Sequence, residues 1–493
     1  MTTDLLSVIL ICSALLFGAV ELWSSAVILL SVFTIGLFWV LRKEYDNYGT
    51  DRIGYFILAV WAVFILFILI QSLPLPSSIL KFISPSAFSM QTFYSPVKRD
   101  FMHISLYPYK TGMELLLIVA LFTVFAIAMS NLKNKENLIR ALKVLVVFGF
   151  SLSIFAIVQK ATWNGRLYWF RELTLGGSPF GTFVNRNHFA GMTGMLIPLG
   201  LGLALTRKSI EKKALFGFIT LIMAVALFFS LSRGGILGFF SGMALFSFLI
   251  IKSRVQTKKI WAIGFFLMVL AVYLLYLGID PIIDRFYKTD ITGEQRLIVW
   301  SATLKAAKDF WFTGTGLGTF INIFPLYAPP GMNSIYDHAH NDYLEFILET
   351  GIVGAILLAV FVSLSIYSIA KSSLEGKTGI LRIAAVSSAF TMAVHSIFDF
   401  NLHILSNALL FSFVLGMVIA LSDPGFGMQG KINSNGLKPG SKRRSSKHDK
   451  LSDMQADPAG TMSHDPGAGS LRQGDEVEDW KKQIKEHGPQ HGE

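Results

Sequence analysis

The 493-residue sequence contains very little cysteine and little charge. Cys12 is the only cysteine, which excludes intrachain disulfides and metal sites built from several cysteines. Charged residues make up 15% of the chain, whereas about 25% is usual in a soluble protein. Hydrophobic residues make up 53%. This composition argues against a soluble helical-repeat protein and favours a protein embedded in a phospholipid bilayer.

Long apolar runs recur along the chain and predict about twelve transmembrane helices. We therefore predict an all-α fold, that of a polytopic integral membrane protein with one large loop that carries short helices. The predicted spans lie near residues 5–22, 24–41, 53–73, 111–130, 138–159, 188–206, 213–231, 234–251, 260–279, 346–370, 379–399 and 403–421.

The net charge of +11 is spread over short clusters between the apolar runs. The clusters occupy alternate connections, at residues 42–52, 133–143, 207–213, 252–259 and 371–382. By the positive-inside rule these connections and both termini face the cytoplasm, and the remaining connections face outward. Such a pattern reports membrane orientation, so we do not expect a nucleic-acid partner.

The chain divides into three parts by composition. Residues 1–110 hold the first predicted helices and an outer loop, and residues 111–422 form a transmembrane core that includes the outer loop 280–345. Within that loop, 294–310 is predicted to be a helix that lies on the membrane or on the bundle, with Leu297, Ile298, Leu304 and Ala307 on its apolar side. Residues 423–493 are rich in Gly, Ser, Lys, Asp and Pro, which predicts a disordered cytoplasmic tail.

A dense polar stretch, His338–Glu349, lies where the large outer loop meets an apolar run. His340 would precede the positive end of a helix dipole, which lowers the pKa of an imidazole and favours its neutral form. A neutral imidazole at the outer surface can take a proton from a hydroxyl nucleophile. His338 would either orient the site or be solvated.

Half of this stretch also has a purely structural explanation. Asp342 and Glu345 have the spacing of a capping box, so Asp342 is expected to cap the following helix, with Asn341 beside it. Two histidines and Asp342 could alternatively bind a metal, but His-x-His alone is weak evidence for one. We predict no metal.

Three arginines fall at predicted outer helix ends: Arg186 between Asn185 and Asn187, Arg233 in Ser-Arg-Gly-Gly, and Arg296. Each could be a structural or snorkelling residue, because arginine at such a depth is costly unless it is paired. Guanidinium groups bind phosphate oxygens through paired hydrogen bonds. Three on one face therefore favour a phosphate-bearing substrate.

Two further patterns bear on the site. His395 and Asp399 are four residues apart near an outer helix end, so Asp399 could orient His395, hold an arginine or form a structural polar pair. The stretch 314–318 is rich in glycine but lacks the spacing of a dinucleotide site, which favours a tight loop. We predict no nucleotide and no other cofactor.

Several blocks of the sequence resemble the O-antigen ligase and O-antigen polymerase superfamily of bacterial envelope polysaccharide assembly. They are, in the order that the family shows them, GTFVNRNHFAG, SRGG, QRLIVW followed by GTGLGTF, HAHNDYLEFILETGIVGA and HSIFDFNL. The resemblance covers about residues 110–421 and is most specific at the His-x-His-Asn block. It implies a metal-independent glycosyltransferase of the bacterial inner membrane, which takes a glycan from an undecaprenyl-diphosphate carrier on the periplasmic side.

The resemblance also implies residue roles that agree with those expected from the residues themselves. His340 matches the family's catalytic histidine and would act as general base. Arg186, Arg233 and Arg296 match the outer-face arginines thought to hold the diphosphate. The predicted substrate-binding set is completed by His338, Asn187 and Asn341, and His395, Asp399 and Glu345 are expected to support the site.

Three acceptors remain open within the family: the lipid A core, a growing glycan or a protein hydroxyl. The last of these would make the protein a protein O-oligosaccharyltransferase, although the long acceptor-binding additions expected of such enzymes are not obvious. A transporter of bicarbonate or another solute is the alternative from a different class. It would place polar residues near the middle of the membrane and often show inverted repeats, whereas here the polar residues gather at the outer helix ends.

Overall fold

The computed structural model of the chain describes residues 1–44, 49–95, 97, 99–173, 176–253, 257–277, 291–330, 332 and 335–426. The predicted cytoplasmic tail beyond residue 426 and part of the large loop, 278–290, lie outside the described residues. The described part is built almost wholly of helices, which confirms the all-α class.

The long helices are α1 (Thr2–Leu15), α2 (Leu22–Leu41), α3 (Arg52–Ser72), α6 (Pro108–Asn131), α7 (Lys135–Ala161), α8 (Arg186–Leu205), α9 (Ile210–Phe229), α10 (Arg233–Lys252), α11 (Thr257–Leu277), α14 (Asp342–Ala370), α15 (Gly376–His395) and α16 (Leu405–Ser422). Within the described residues, ten helices are long and apolar enough to cross a membrane. Two of the twelve predicted spans fall short, α1 and the described apolar stretch Ile260–Val272 of α11. Helix α1 ends at Leu15, and the chain then turns through positive φ angles at Phe17, Gly18 and Ala19.

Helices α8 and α16 form the centre of the bundle. The most apolar part of α8 is 94% buried and that of α16 is 89% buried, whereas the figure is 11% for α14 at the periphery. Small residues let the central helices approach closely. A Cβ at Gly202 of α8 would lie only 2.5 Å from the Cβ of Ala384 of α15, and one at Gly416 of α16 only 2.6 Å from the carbonyl oxygen of Phe125.

A second, smaller core lies beside the bundle. It includes α4 (Ser77–Ile83), α5 (Pro85–Tyr94), α12 (Ile291–Asp309), α13 (Phe320–Ile323) and an antiparallel pair of strands, β1 (Pro74–Pro76) and β2 (Phe101–His103). The strands pair with Pro74 opposite His103 and Pro76 opposite Phe101. The sequence did not predict this sheet, because two three-residue strands carry no measurable alternation.

Helix α12 confirms the helix predicted at 294–310, and small residues make up much of the face that it buries. Val299, Ala302 and Ala306 are buried, as is Ala307 of the predicted apolar side. Leu297 and Leu304 of that side are 64% and 48% exposed. Val299 and the small alanines therefore form the side of α12 that is buried in the protein, while the leucines of the predicted apolar side remain uncovered by it.

Candidate functional site

Three histidines surround the ring of Phe400 where α8 and α14 begin and α15 ends. The His338 ring stacks on it with centroids 4.4 Å apart, and His340 and His188 meet it edge-on at 4.8 and 5.0 Å. Phe400 lies in the connection between α15 and α16, and His188 in the first turn of α8. This connection therefore brings three parts of the chain together. Sequence reasoning missed Phe400, since a phenylalanine between two apolar helices carries no distinguishing signal.

His340 forms the first of two histidine–carboxylate pairs. Its Nδ1 lies 3.2 Å from Oδ1 of Asp399, whose side chain is 1% exposed against 27% for His340. Burial alone would raise the pKa of Asp399, but the hydrogen bond from His340 and the nearby His188 outweigh it and hold that pKa well below its usual range. The carboxylate thus fixes a proton on Nδ1, and Nε2, which has no hydrogen-bond partner among the described residues, is left as the basic atom.

The backbone at His340 is unusual as well. Its φ of 54° lies in the left-handed region, which is uncommon for a residue with a side chain. Such conformations persist only where the surroundings enforce them, and they cluster at functional sites. The turn lets the chain reverse at His340 and start α14 two residues later.

Four side chains form the second cluster: His338, Asp342, Glu345 and His403. Nδ1 of His338 lies 2.8 Å from Oε1 of Glu345, and Nε2 of His403 lies 3.3 Å from the same oxygen. Nδ1 of His403 lies 2.9 Å from Oδ1 of Asp342. Burial alone would lower the pKa of His403, but the carboxylates of Glu345 and Asp342 outweigh it and raise that pKa to about 10.

Asp342 was predicted to cap α14, and this prediction was wrong. Asn341 is the cap, and its Oδ1 accepts hydrogen bonds from the backbone of Tyr343 and Leu344. Asp342 instead accepts from the backbone N–H of Leu402 and bonds to His403. Glu345 accepts from the backbone of Ala339. The carboxylates turn away from the helix end because histidine partners from another segment lie close to them.

The three predicted arginines lie at the starts of different elements. Arg186 and Arg233 are the first residues of α8 and α10, and Arg296 belongs to the first half of α12. Nη1 of Arg296 donates to the carbonyl oxygen of Phe398, 3.1 Å away, which brings this guanidinium to the connection that carries Asp399. Asn187 follows Arg186 in the first turn of α8, and its backbone N–H donates to the cap residue, Asn185.

Helix α10 reaches the site through His395. A Cβ at Gly234 would lie 2.8 Å from the His395 ring, so the turn that carries Arg233 packs directly on that histidine. Asp399 was predicted to be able to orient His395, but its hydrogen bond goes to His340. His395 is buried, and its Nε2 has no hydrogen-bond partner within the described residues.

One group of side chains in the described part of the chain could hold a metal ion, namely His338, Glu345 and His403. Their nearest ligand atoms lie within 4.8 Å of one another. The separations of 2.8 and 3.3 Å from Glu345 are those of a hydrogen bond and an ion pair, which protons on the two imidazoles satisfy. His403 was not predicted as a site residue, because its partners lie about 60 residues away and no spacing reveals them.

Residues 218–359 match the family model described as O-antigen ligase. The matched range contains Arg233, Arg296 and the polar stretch from His338 to Glu349, whereas Arg186 and Asp399 lie outside it. No curated protein matches the chain.

Proposed function

We propose that the chain is a glycosyltransferase which moves or polymerises an undecaprenyl-diphosphate-linked glycan at the periplasmic face, because residues 218–359 match the O-antigen ligase family model. The family and the ten apolar helices indicate a multi-pass protein of the bacterial inner membrane and a glycosyltransferase-like enzyme.

The observation that carries the proposal is the pair of His340 and Asp399. Asp399 is buried and lies 3.2 Å from Nδ1 of His340, while the rest of that ring is partly exposed. In the proposed reaction Nε2 of His340 takes the proton from an acceptor hydroxyl, and the hydroxyl oxygen attacks the anomeric carbon of the donor. The bond from that carbon to the diphosphate oxygen breaks, and its electron pair stays with the diphosphate.

Positive charge near the leaving diphosphate would lower the barrier further. Arg186, Arg233 and Arg296 come from three different helices, and the contacts of Arg296 and of the turn beside Arg233 support a common location around the connection 396–404. Fixed guanidinium groups can stabilise the charge that develops on phosphate oxygens without reorganising during the reaction. His338, Asn187 and Asn341 would complete the binding of diphosphate and glycan.

We expect the transfer to proceed without a metal. Arginines supply the positive charge that a divalent cation provides in many phosphate-handling enzymes. The group His338, Glu345 and His403 is already held together by a hydrogen bond and ion pairs. Transfer by the purified protein should therefore continue in the presence of a chelator.

Replacement of His340 tests the proposed base. His340→Ala should lower glycan transfer by at least about 100-fold, the range typical of a lost general base, while the amount of protein in the membrane stays the same. His103→Ala is a matched control, because His103 lies in β2 and bonds to the carbonyl oxygen of Ser72. Full transfer by the His340 variant would refute the proposal.

Deletion of the gene distinguishes the acceptors. Carrier-linked polymer that accumulates beside an unmodified lipid A core would indicate a ligase, and loss of all long chains would indicate a polymerase. Loss of glycan from proteins alone would indicate a protein O-oligosaccharyltransferase. An unchanged surface glycan together with altered uptake of bicarbonate would instead favour a transporter.

A further inference from the structure

We infer that His403 is a positioning residue for the proposed transfer, acting through Glu345 on the ring of His338. The inference rests on the proposed function and adds to it a residue that lies outside the matched range 218–359. It concerns the second histidine–carboxylate cluster rather than the pair of His340 and Asp399.

The cluster contains two buried carboxylates, and burying both charges without a cation would cost free energy of folding. Glu345 and Asp342 have side chains that are only 2% and 5% exposed, and they lie within one helical turn of each other. His403 bridges them, with Nε2 facing Glu345 at 3.3 Å and Nδ1 facing Asp342 at 2.9 Å. Buried charges must be paired to be tolerated. The imidazolium of His403 lies between the two carboxylates and pairs with each of them.

Glu345 in turn fixes the orientation of His338. Its Oε1 is shared by His338 and His403, while its Oε2 accepts the backbone N–H of Ala339 at 2.8 Å. Nδ1 of His338 is therefore occupied by Glu345, and Nε2 has no hydrogen-bond partner among the described residues, in a side chain that is 27% exposed. A carboxylate that holds one ring nitrogen selects the tautomer and the direction of the other.

His338 and His340 then present equivalent atoms beside one aromatic ring. Both use Nδ1 for a buried carboxylate and both lie against Phe400, at 4.4 and 4.8 Å. His403 also contacts the His338 ring directly, with centroids 4.5 Å apart. Loss of His403 would let Glu345 and the His338 ring shift while the pair of His340 and Asp399 keeps its own hydrogen bond.

Two amide variants separate the two bonds of His403. An asparagine amide reaches the position of Nδ1 and can donate to Asp342, whereas a glutamine amide reaches the position of Nε2 and can donate to Glu345. Purified wild-type protein, His403→Gln and His403→Asn would be compared for kcat and KM of glycan transfer from the carrier-linked glycan of the deletion strain. Each rate is expressed per mole of protein that elutes as a single species in size exclusion.

If His403 acts through Glu345, His403→Gln should retain glycan transfer and His403→Asn should not. We expect His403→Gln to keep kcat within about threefold of wild type and His403→Asn to lower it by about tenfold or more. In a His338→Ala background the same two substitutions should differ by less than about threefold, because the residue through which they act is gone. His103→Gln serves as the control histidine and should leave both constants unchanged.

Other outcomes would overturn the inference. Asparagine that performs as well as or better than glutamine would mean that His403 acts only through Asp342. A difference that persists in the His338→Ala background would mean that His338 is not the residue affected. One equivalent of bound divalent metal, lost on His403→Gln, would assign the cluster to a metal. Absence of transfer by the wild-type protein would refute the proposed function and the inference together, whereas a reversed order in an active protein refutes the inference alone.

Discussion

Asp399 shows how one buried residue can set the chemistry of another. Its carboxylate has two functions in the connection 396–404, since Oδ1 lies 3.2 Å from His340 and also accepts the backbone N–H of Phe400 at 2.9 Å. It holds His340 in one tautomer and would stabilise the imidazolium that forms when a proton is taken. Both effects depend on the negative charge rather than on the size of the side chain.

Asp399→Asn separates charge from size. The amide keeps an oxygen that can accept the backbone N–H of Phe400, but it is neutral and cannot stabilise an imidazolium. We expect glycan transfer to fall by about 100-fold or more, with the melting temperature little changed. Steady-state transfer with the purified variant measures this, and activity within twofold of wild type would contradict the role assigned to Asp399.

His403 predicts a dependence of stability on pH. Its pKa is about 10 in the folded chain, above the ordinary value of about 6.5. The protonated ring faces Asp342, Glu345, Glu349 and the neighbouring His338. Because the pKa is raised on folding, the stabilisation is complete below about pH 6.5 and is lost as the pH rises through 10.

The wild-type protein should therefore melt at a higher temperature than His403→Gln. The difference should be largest near pH 6.5 and should shrink towards pH 10. Thermal unfolding of both proteins in the same detergent across this range is the measurement. A difference that stays constant with pH would mean that the charge of His403 does not stabilise the fold.

At the scale of elements, the position of α14 depends on an interruption of its helical backbone at Gly351. Gly351 has φ 61° and ψ −160°, a combination that is essentially restricted to glycine. The break frees backbone groups that bond to the preceding loop, so that Ile352 donates to Trp311 while Thr315 and Gly316 donate to Leu348 and Glu349. The start of α14, which carries Asp342 and Glu345, is thereby tied to the loop.

Gln71 ties the same loop to α3. Its side chain is fully buried, and its amide nitrogen donates to the carbonyl oxygens of Thr313 and Glu349 at 2.8 and 3.0 Å. Its amide oxygen accepts from the backbone of Leu317. The positive φ angles of Gly314, Gly316 and Gly318 confirm the tight loop predicted from the glycine-rich stretch.

Gly351→Ala should therefore destabilise the fold. A Cβ there would clash with the carbonyl oxygen of Phe312 and lie 2.7 Å from the backbone nitrogen of Gly314, neither of which can move alone. We expect a loss of at least about 1–3 kcal/mol, seen as a lower melting temperature. Gly112→Ala in α6 is the control, because a Cβ there meets nothing within 4 Å and alanine is the better helix former. Equal melting temperatures for the two variants would contradict this account of the break.

At the scale of the whole molecule, the residues of the candidate site come from connections and helix ends that are predicted to lie on one side of the membrane. The charge pattern predicts that the connections 74–110, 160–187, 232–233, 280–345 and 400–402 are periplasmic. A buried ion pair between Lys133 and Asp423, 2.6 Å apart, joins α6 to the end of α16 on the predicted cytoplasmic side. Orientation in the membrane is thus a property of the whole chain that a labelling experiment can measure.

The single cysteine makes that experiment simple. In a Cys12→Ser background, Thr92→Cys should react with a membrane-impermeant maleimide in intact spheroplasts, whereas Lys377→Cys should react only after the membrane is opened. Both positions are exposed in the structure and lie on opposite predicted sides. Labelling in the reverse order would invert the proposed topology and place His340 in the cytoplasm.

The class of fold and most of the helices could be predicted from the amino-acid sequence alone. Runs of apolar residues long enough to cross a bilayer are a local property, so α2, α3 and the other long helices could be located without a structure. The limits of local reasoning appear at α1, which ends at Leu15 before a turn, and at α12, whose buried face depends on what packs against it. Neither feature is encoded within one helix.

Which polar groups contact one another depends on the packing of distant segments and could not be predicted from the sequence. The sequence singled out His340 and Asp399 separately. It assigned Asp342 to a helix cap, and it left Asp399 to orient His395, hold an arginine or form a structural polar pair. The fold instead pairs His340 with Asp399, across 59 residues, and Asp342 with His403, across 61. A buried carboxylate bonds to whichever donor the packing of helices brings near, and that packing depends on small residues within the bundle, such as Gly202 and Gly416.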